Sequence, residues 1–116
     1  MFAPVCVSAY ARPGHLARTV EALRNNLAAE KHELFVFSDG AKPGDEDKVA
    51  AVRRYLRGVK GFKKITVFER IENNRVLNKR GGMKEVLEAY GRIIFLEEDV
   101  ITAPGFLRFM NEALQR

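Results

Sequence analysis

Cysteine occurs once in this 116-residue chain, histidine twice and tryptophan not at all. A single thiol, Cys6, excludes a disulfide framework, and with only His15 and His32 beside it the chain cannot supply a four-ligand Cys/His zinc site. A reducing compartment is the simplest setting, and Cys6, in the middle of an apolar run, reads as core packing. Long apolar runs are also missing. The longest aliphatic and aromatic stretch, Ile93 to Leu96, is far short of a membrane span, and no basic segment leads into an apolar one at the N-terminus. Neither membrane insertion nor signal cleavage is expected. Neither the G-x-x-x-x-G-K-Ser/Thr phosphate loop nor the G-x-G-x-x-G dinucleotide fingerprint occurs, so both lack support. No Ser/His/Asp or Cys/His nucleophile arrangement emerges, and His15 reads as a surface residue.

What the chain does have is 47% hydrophobic and 30% charged residues, the composition of one soluble globular domain over residues 1–116. At this length roughly two thirds of the surface exposed by the unfolded chain can be buried, so neither disulfides nor a metal is needed to fold. The formal net charge of +5 is unevenly placed: Arg53 to Lys84 holds eleven Lys or Arg against Glu69 and Glu72 alone. That region carries the positive field and suits an anion.

Short β-branched or aromatic runs alternate with helical periodicity. Pro4 to Ala9 predicts a first strand, broken by Arg12-Pro13-Gly14, and Leu16, Val20, Leu23 and Leu27 form one helical stripe. Glu33 to Ser38 predicts a second strand stopping at Asp39-Gly40. Acids at Asp45-Glu46-Asp47 open a second helix through Val49, Val52 and Leu56, ending near Gly58 or Gly61. Ile65 to Phe68 predicts a third strand. Met83, Val86, Leu87 and Tyr90 mark a third helix beginning near Gly81-Gly82. Arg92 to Leu96, the most apolar strand, runs into Glu97-Glu98-Asp99. Thr102-Ala103-Pro104 then opens a last helix with Phe106, Leu107, Met110, Ala113 and Leu114 on its apolar face. The order βαβαβαβα predicts an α/β, Rossmann-like layered sheet, mostly parallel, with strands covered on both faces.

In such sheets ligands bind beyond the carboxyl ends of the strands, which draws attention to Tyr10 to Gly14, Asp39-Gly40, Arg70 to Asn74 and Glu97 to Asp99. Strand alternation would put Glu97 and Asp99 on one side, roughly 6 to 7 Å apart. Carboxylates crowded at a buried strand end repel unless neutralised, and hard oxygen ligands suit Mg²⁺ or Mn²⁺. A solvated acidic turn before a helix is the alternative. Asp39 either accepts hydrogen bonds from a base or ribose or makes an Asp-Gly turn. Arg12 either contacts a phosphate beside the free amides of the first helix or is a solvated charge. Lys79-Arg80-Gly81-Gly82 either holds an anion with charge and backbone amides or is a surface loop with a helix cap.

Pro4-Val-Cys-Val-Ser-Ala-Tyr-Ala-Arg-Pro-Gly14 and the Leu-patterned helix after it resemble the opening of family-two nucleotide-diphospho-sugar glycosyltransferases of the GT-A fold, with Ala11 in place of an Asn. Phe35-Val-Phe-Ser-Asp-Gly40 resembles that family's second strand. Ile94-Phe-Leu-Glu-Glu-Asp-Val-Ile-Thr-Ala-Pro-Gly-Phe-Leu107 resembles its acidic motif, and is closest to the version in N-acetylglucosaminyltransferase I-like enzymes. The resemblance implies a donor-binding half with Mn²⁺ or Mg²⁺ on Asp99 and Glu97. Glu98, one methylene longer than the usual Asp, would sit at ribose or metal. Asp39 would read the base, Arg12 would approach the donor diphosphate, Tyr10 would belong to the donor site, and Lys79 and Arg80 would assist. It further implies a UDP-sugar donor, inverting transfer and a saccharide or glycolipid acceptor. The catalytic base is not placed, because only Val100 to Arg116 follow the acidic motif. The chain alone is therefore expected to have little or no transferase activity.

Three rivals fit less well. A nucleotidyltransferase should carry a Gly-rich basic loop after the first strand, where Tyr10 to Gly14 has one Gly. A response-regulator-like domain should carry its acids on the first strand. A nucleic-acid binder would use the Arg53 to Lys84 surface, but Tyr55, Phe62 and Phe68 form no stacking motif, so no nucleic-acid partner is expected. A non-enzymatic nucleotide-sugar-binding role stays open. Missing sheet neighbours would leave apolar surface on the last strand and helix and favour self-association. The expected location is cytoplasmic, with peripheral contact between the basic segment and an anionic membrane as an extension.

Overall fold

The computed structural model describes residues 2–115; Met1 and Arg116 lie outside the described residues. Among the described residues four strands and four α-helices alternate: β1 (Val5–Ala9), α1 (Pro13–Arg24), β2 (Glu33–Ser38), α2 (Glu46–Arg57), β3 (Lys64–Glu69), α3 (Arg75–Tyr90), β4 (Ile94–Leu96) and α4 (Phe106–Leu114), with a 3-10 turn at Ala29–Lys31. The expected α/β sheet is present, and all of its strand pairs are parallel. Spatial order is β3-β2-β1-β4, with Val5 opposite both Leu34 and Ile94, and Val7 opposite both Val36 and Leu96. The chain thus steps outward on one side of β1 and then returns to its other side. That reversal opens a crevice at the carboxyl ends of β1 and β4.

Alternation along the strands sorts the core into two layers. Val5, Val7, Leu34, Val36, Ile94 and Leu96 face Leu16, Val20 and Leu23 of α1, Val52 and Leu56 of α2, and Leu107 of α4. Cys6, Phe35 and Phe37 face the other way, onto Val86 of α3, with Phe68, Met83, Tyr90 and Phe95 partly buried around them. Three helices therefore cover one face of the sheet and one helix covers the other. Cys6 is core, as expected, and burial pushes its thiol up to about 12.

Four sequence expectations need correction. α3 begins six residues before Gly81, because Asn74 caps it by accepting the Leu77 amide at 3.2 Å. Gly81 and Gly82 are therefore helical. A Cβ on Gly82 would lie 2.6 Å from the Phe37 ring, so its lack of a side chain is what lets α3 lie flat on the sheet. α1 stops at Arg24, leaving Leu27 exposed beyond its end, since Asn26 turns its amide back onto the Ala22 carbonyl at 2.9 Å. β4 is a three-residue strand at the sheet edge; the deeply buried strands are the inner pair, β1 and β2.

The fourth correction concerns α4. Leu107 is buried and Phe106 and Met110 are half-buried, but Ala113 and Leu114 are exposed and the buried residue of the last turns is Asn111. Its Oδ1 accepts the Ala3 amide at 2.8 Å, while its Nδ2 donates to the Leu107 carbonyl at 2.7 Å and to His32 Nε2 at 2.8 Å. His32 Nδ1 in turn donates to the Ala28 carbonyl at 2.8 Å, and burial holds this ring below the usual histidine pKa. Helix α4 is thus docked by amide geometry as much as by apolar contact. Ile101 and Phe109 remain exposed on this part of the chain.

The two adjacent glycines of α3 have opposite surroundings. Gly82→Ala is expected to lower stability by roughly 1–3 kcal/mol through overpacking against Phe37. Gly81→Ala, with nothing within 4 Å of the new Cβ, is expected to raise it by about 1 kcal/mol. Chemical denaturation of both variants checks the pair, and equal effects would refute this placement of α3.

Candidate functional site

Three strand ends and the start of α3 enclose a cleft of about 380 Å³ at the crevice between β1 and β4. Tyr10, Arg12, Asp39, Lys79, Glu97, Glu98 and Asp99 all line it. Of the eight side chains expected from the sequence to contact donor or metal, Arg80 alone is absent from its walls. It lies on the exposed side of α3, one position beyond Lys79. The anion-binding loop expected at Lys79-Arg80-Gly81-Gly82 does not exist, because its backbone is inside the helix.

Asp39 extends β2 by one ladder bond, its amide donating to the Ala9 carbonyl at 3.1 Å, and its carboxylate is buried at the base of the cleft. Oδ1 accepts the Gly40 amide at 2.9 Å, the Asn74 amide at 3.0 Å and Asn78 Nδ2 at 2.6 Å. Oδ2 accepts Asn73 Nδ2 at 3.1 Å. The same Asn73 amide donates to the Gly40 carbonyl at 2.8 Å, and Asn78 donates to the Glu72 carbonyl at 3.0 Å. A Cβ on Gly40 would stand 2.3 Å from the Ile71 carbonyl oxygen, so this close approach of two backbones requires glycine. One carboxylate therefore straps the end of β2 to the β3–α3 turn.

The acids after β4 are divided by their partners. Glu97 Oε2 accepts the Ser8 hydroxyl at 2.5 Å and Oε1 accepts Lys79 Nζ at 2.9 Å, with Arg75 at 3.5 Å. The Ser8 hydrogen bond, helped by Lys79 and Arg75 and opposed by burial, holds its carboxyl below the usual glutamate pKa. Glu98 is buried: Oε2 accepts the Tyr10 amide at 2.9 Å, Oε1 meets Arg12 Nε at 3.2 Å, and its carbonyl accepts the Thr19 hydroxyl at 2.7 Å. It fixes the β1–α1 loop. Asp99 is exposed and has no hydrogen-bond or ion-pair partner among the described residues. Since β4 ends at Leu96, strand alternation does not place these groups; a turn does, and it still brings all three to one cleft.

The remaining wall belongs to the first two loops. Tyr10 donates its hydroxyl proton to Asp45 at 2.7 Å and accepts the Lys42 amide at 2.9 Å, which ties the β2–α2 loop to β1. Arg12 precedes α1 with its guanidinium half exposed, and no side chain caps the helix behind it. Four cations (Arg12, Lys42, Arg75, Lys79) and four acids (Asp39, Glu97, Glu98, Asp99) thus line one space.

Among the described residues no group of three or more His, Cys, Asp or Glu is arranged to hold a metal ion. Glu97 and Glu98 are already neutralised by hydroxyl, amide and cationic donors. The donor set fits an ion that brings its own ligands, as Mg²⁺ does when one or two carboxylates and substrate phosphates complete its shell. Asp99 is the carboxylate free to provide that contact.

Ser8, Asn73, Asn78 and Arg75 were not assigned roles from the sequence. The signal for three of them was the Asn73-Asn74 pair just before α3. Once α3 starts at Arg75, Arg75, Asn78 and Lys79 share a face at i, i+3 and i+4. Nothing in the sequence marks Ser8 as a partner of Glu97.

No protein-family model and no curated protein matches the chain. Among solved structures it is similar to TarS of S. aureus, a glycosyltransferase, with a TM-score of 0.64 and 14% identity over 99% of this chain and 20% of that one. A second TarS structure, of residues 1–349, gives a TM-score of 0.54 and 16% identity over 99% of this chain and 32% of that one. The chain spans about a fifth to a third of the structures it matches. At these identities the likeness is one of fold: the parallel α/β sheet is shared with those structures.

Replacing Asp39 by Asn leaves one acceptor oxygen where two now serve four N–H donors. Asp39→Asn is expected to cost roughly 2–3 kcal/mol in denaturant unfolding and to increase amide exchange at Asn74 and Asn78. Wild-type stability and exchange in this variant would show that the strap is not structural.

Proposed function

We propose that the chain is the donor-binding part of a GT-A-type glycosyltransferase, taking a nucleoside diphosphate sugar in the cleft between β1 and β4. The observation that carries this is the meeting of Arg12, Arg75 and Lys79 with Glu97, Glu98 and Asp99 at the chain-reversal crevice of a glycosyltransferase-like sheet. Departure of a nucleoside diphosphate from the anomeric carbon develops negative charge on the leaving oxygen, and fixed cations stabilise that charge. Arg12 and Lys79, each now held by a glutamate, can turn part of their hydrogen bonding to the diphosphate without leaving those glutamates unpaired. Glu97 keeps the Ser8 hydroxyl and Arg75, and Glu98 keeps the Tyr10 amide.

Asp99, with Glu97 as a second candidate ligand, would hold a divalent ion arriving with the donor. Mg²⁺ or Mn²⁺ there supplies charge neutralisation at the diphosphate. Asp39 anchors the wall against which the base would lie. Direct reading of the base would require it to exchange a donor it already has, and the Asn73 bond at 3.1 Å is the longest of these. The preferred donor is a UDP-sugar and the chemistry inverting, both by family analogy. The acceptor, a saccharide or glycolipid, and the base that deprotonates it belong to the whole enzyme. The chain alone binds donor with little or no transfer.

Calorimetric titration of UDP and then GDP, with and without Mn²⁺, tests this reading. Metal-dependent UDP binding, weakened at least about tenfold in Asp99→Asn with the melting temperature unchanged, is the expected result. A folded protein that binds neither nucleotide in the presence of Mn²⁺ would overturn it.

A further inference from the structure

We propose that the outward face of the β3–α3 turn and of α3 is a contact surface for an anionic lipid bilayer. The inward face of α3 is fully committed: Asn78 bonds Asp39, Lys79 bonds Glu97, Gly82 abuts Phe37 and Val86 is buried. A surface helix with such a face ordinarily shows polar residues on the other. Here Val76 is 58% exposed, Leu77 64% and Leu87 46%, and Ile71, in the turn just before, is 95% exposed. These side chains project from the surface instead of lining an apolar groove.

The charges around them are net positive: from Arg70 to Glu88 five basic residues stand against three acids, Glu72, Glu85 and Glu88, and Lys84 pairs with Glu88 at 4.0 Å. Arg75 and Lys79 also serve Glu97, while Arg80 stands exposed on the outer side of the helix. Ile71 also borders a groove lined by Arg53, Arg54, Arg57 and Arg70 against Glu46 and Glu69, with Arg57 3.7 Å from Glu69.

Projecting aliphatic side chains with an excess of Arg and Lys around them match the interfacial region of a bilayer, where apolar groups enter the acyl boundary and cations meet anionic headgroups. A second copy placed face to face would set like charges against each other. A soluble polyanion would use the cations and leave Ile71, Val76 and Leu77 in water. The same first turn of α3 supplies Arg75, Asn78 and Lys79 to the cleft, so a chain docked in this way would hold the cleft beside the lipid headgroups. The contact does not rest on the nucleotide reading and is tested without nucleotide.

Co-sedimentation with vesicles of phosphatidylcholine alone and of equal parts phosphatidylcholine and phosphatidylglycerol tests the surface. The expected result is binding to the anionic vesicles only. Partitioning should fall about tenfold in Ile71→Gln/Leu77→Gln and should also fall in Arg80→Gln/Lys84→Gln, with circular dichroism and melting as in the wild type. Absence of binding to anionic vesicles at low salt would overturn the proposal. So would undiminished binding of the Ile71→Gln/Leu77→Gln variant, which would reduce the contact to charge alone. Self-association abolished by that same double substitution would assign the face to a second copy instead.

Discussion

A carboxylate buried at the end of β2 needs hydrogen-bond donors for its oxygens, and Asp39 finds four of them on two segments of the chain. This single constraint sets the position of α3. The Asn74 amide and the Asn73 and Asn78 side chains are drawn to one point, and the helix that starts between them must run from there across Phe37. Lys79 and Arg75 are then delivered to Glu97 on the far side of the cleft. Loss of the Asp39 strap would release the cationic wall as well as the fold around it.

Glu98 performs the corresponding task on the other side. It collects the Tyr10 amide, the Arg12 guanidinium and, through its carbonyl, the Thr19 hydroxyl, and so joins β4 to the first loop and helix. With Asp39 and Glu98 used as anchors and Glu97 balanced by Ser8 and two cations, the cleft is nearly neutral as it stands. Arg12 and Lys79 can share a new anion, and Asp99 can take a new cation. Such an arrangement suits a ligand that carries negative charge together with its own metal ion.

The sheet was legible in the sequence because its strands are buried on both faces and therefore read as short apolar runs between breakers. Strand ends followed directly, and with them Asp39, Glu97, Glu98 and Asp99. The start of α3 was not legible. Gly81-Gly82 looks like a break, yet the second glycine is demanded by the Phe37 ring on β2, far away along the chain, and the true cap is Asn74. Lys79 and Arg80 are neighbours with opposite fates for the same reason: only a correct helical phase separates the residue that reaches Glu97 from the one that faces solvent. Asn111 was hidden because its burial depends on His32 and the Ala3 amide, both far away along the chain.

The proposed nucleoside diphosphate site at the ends of β1, β2 and β4 is tested most directly by amide chemical-shift mapping during titration with UDP and Mg²⁺. Binding there predicts shifts at Tyr10, Arg12, Gly40, Lys79 and Asp99, with α4 unaffected. Shifts confined to the groove between α2 and β3, or none at all in a folded protein, would contradict it.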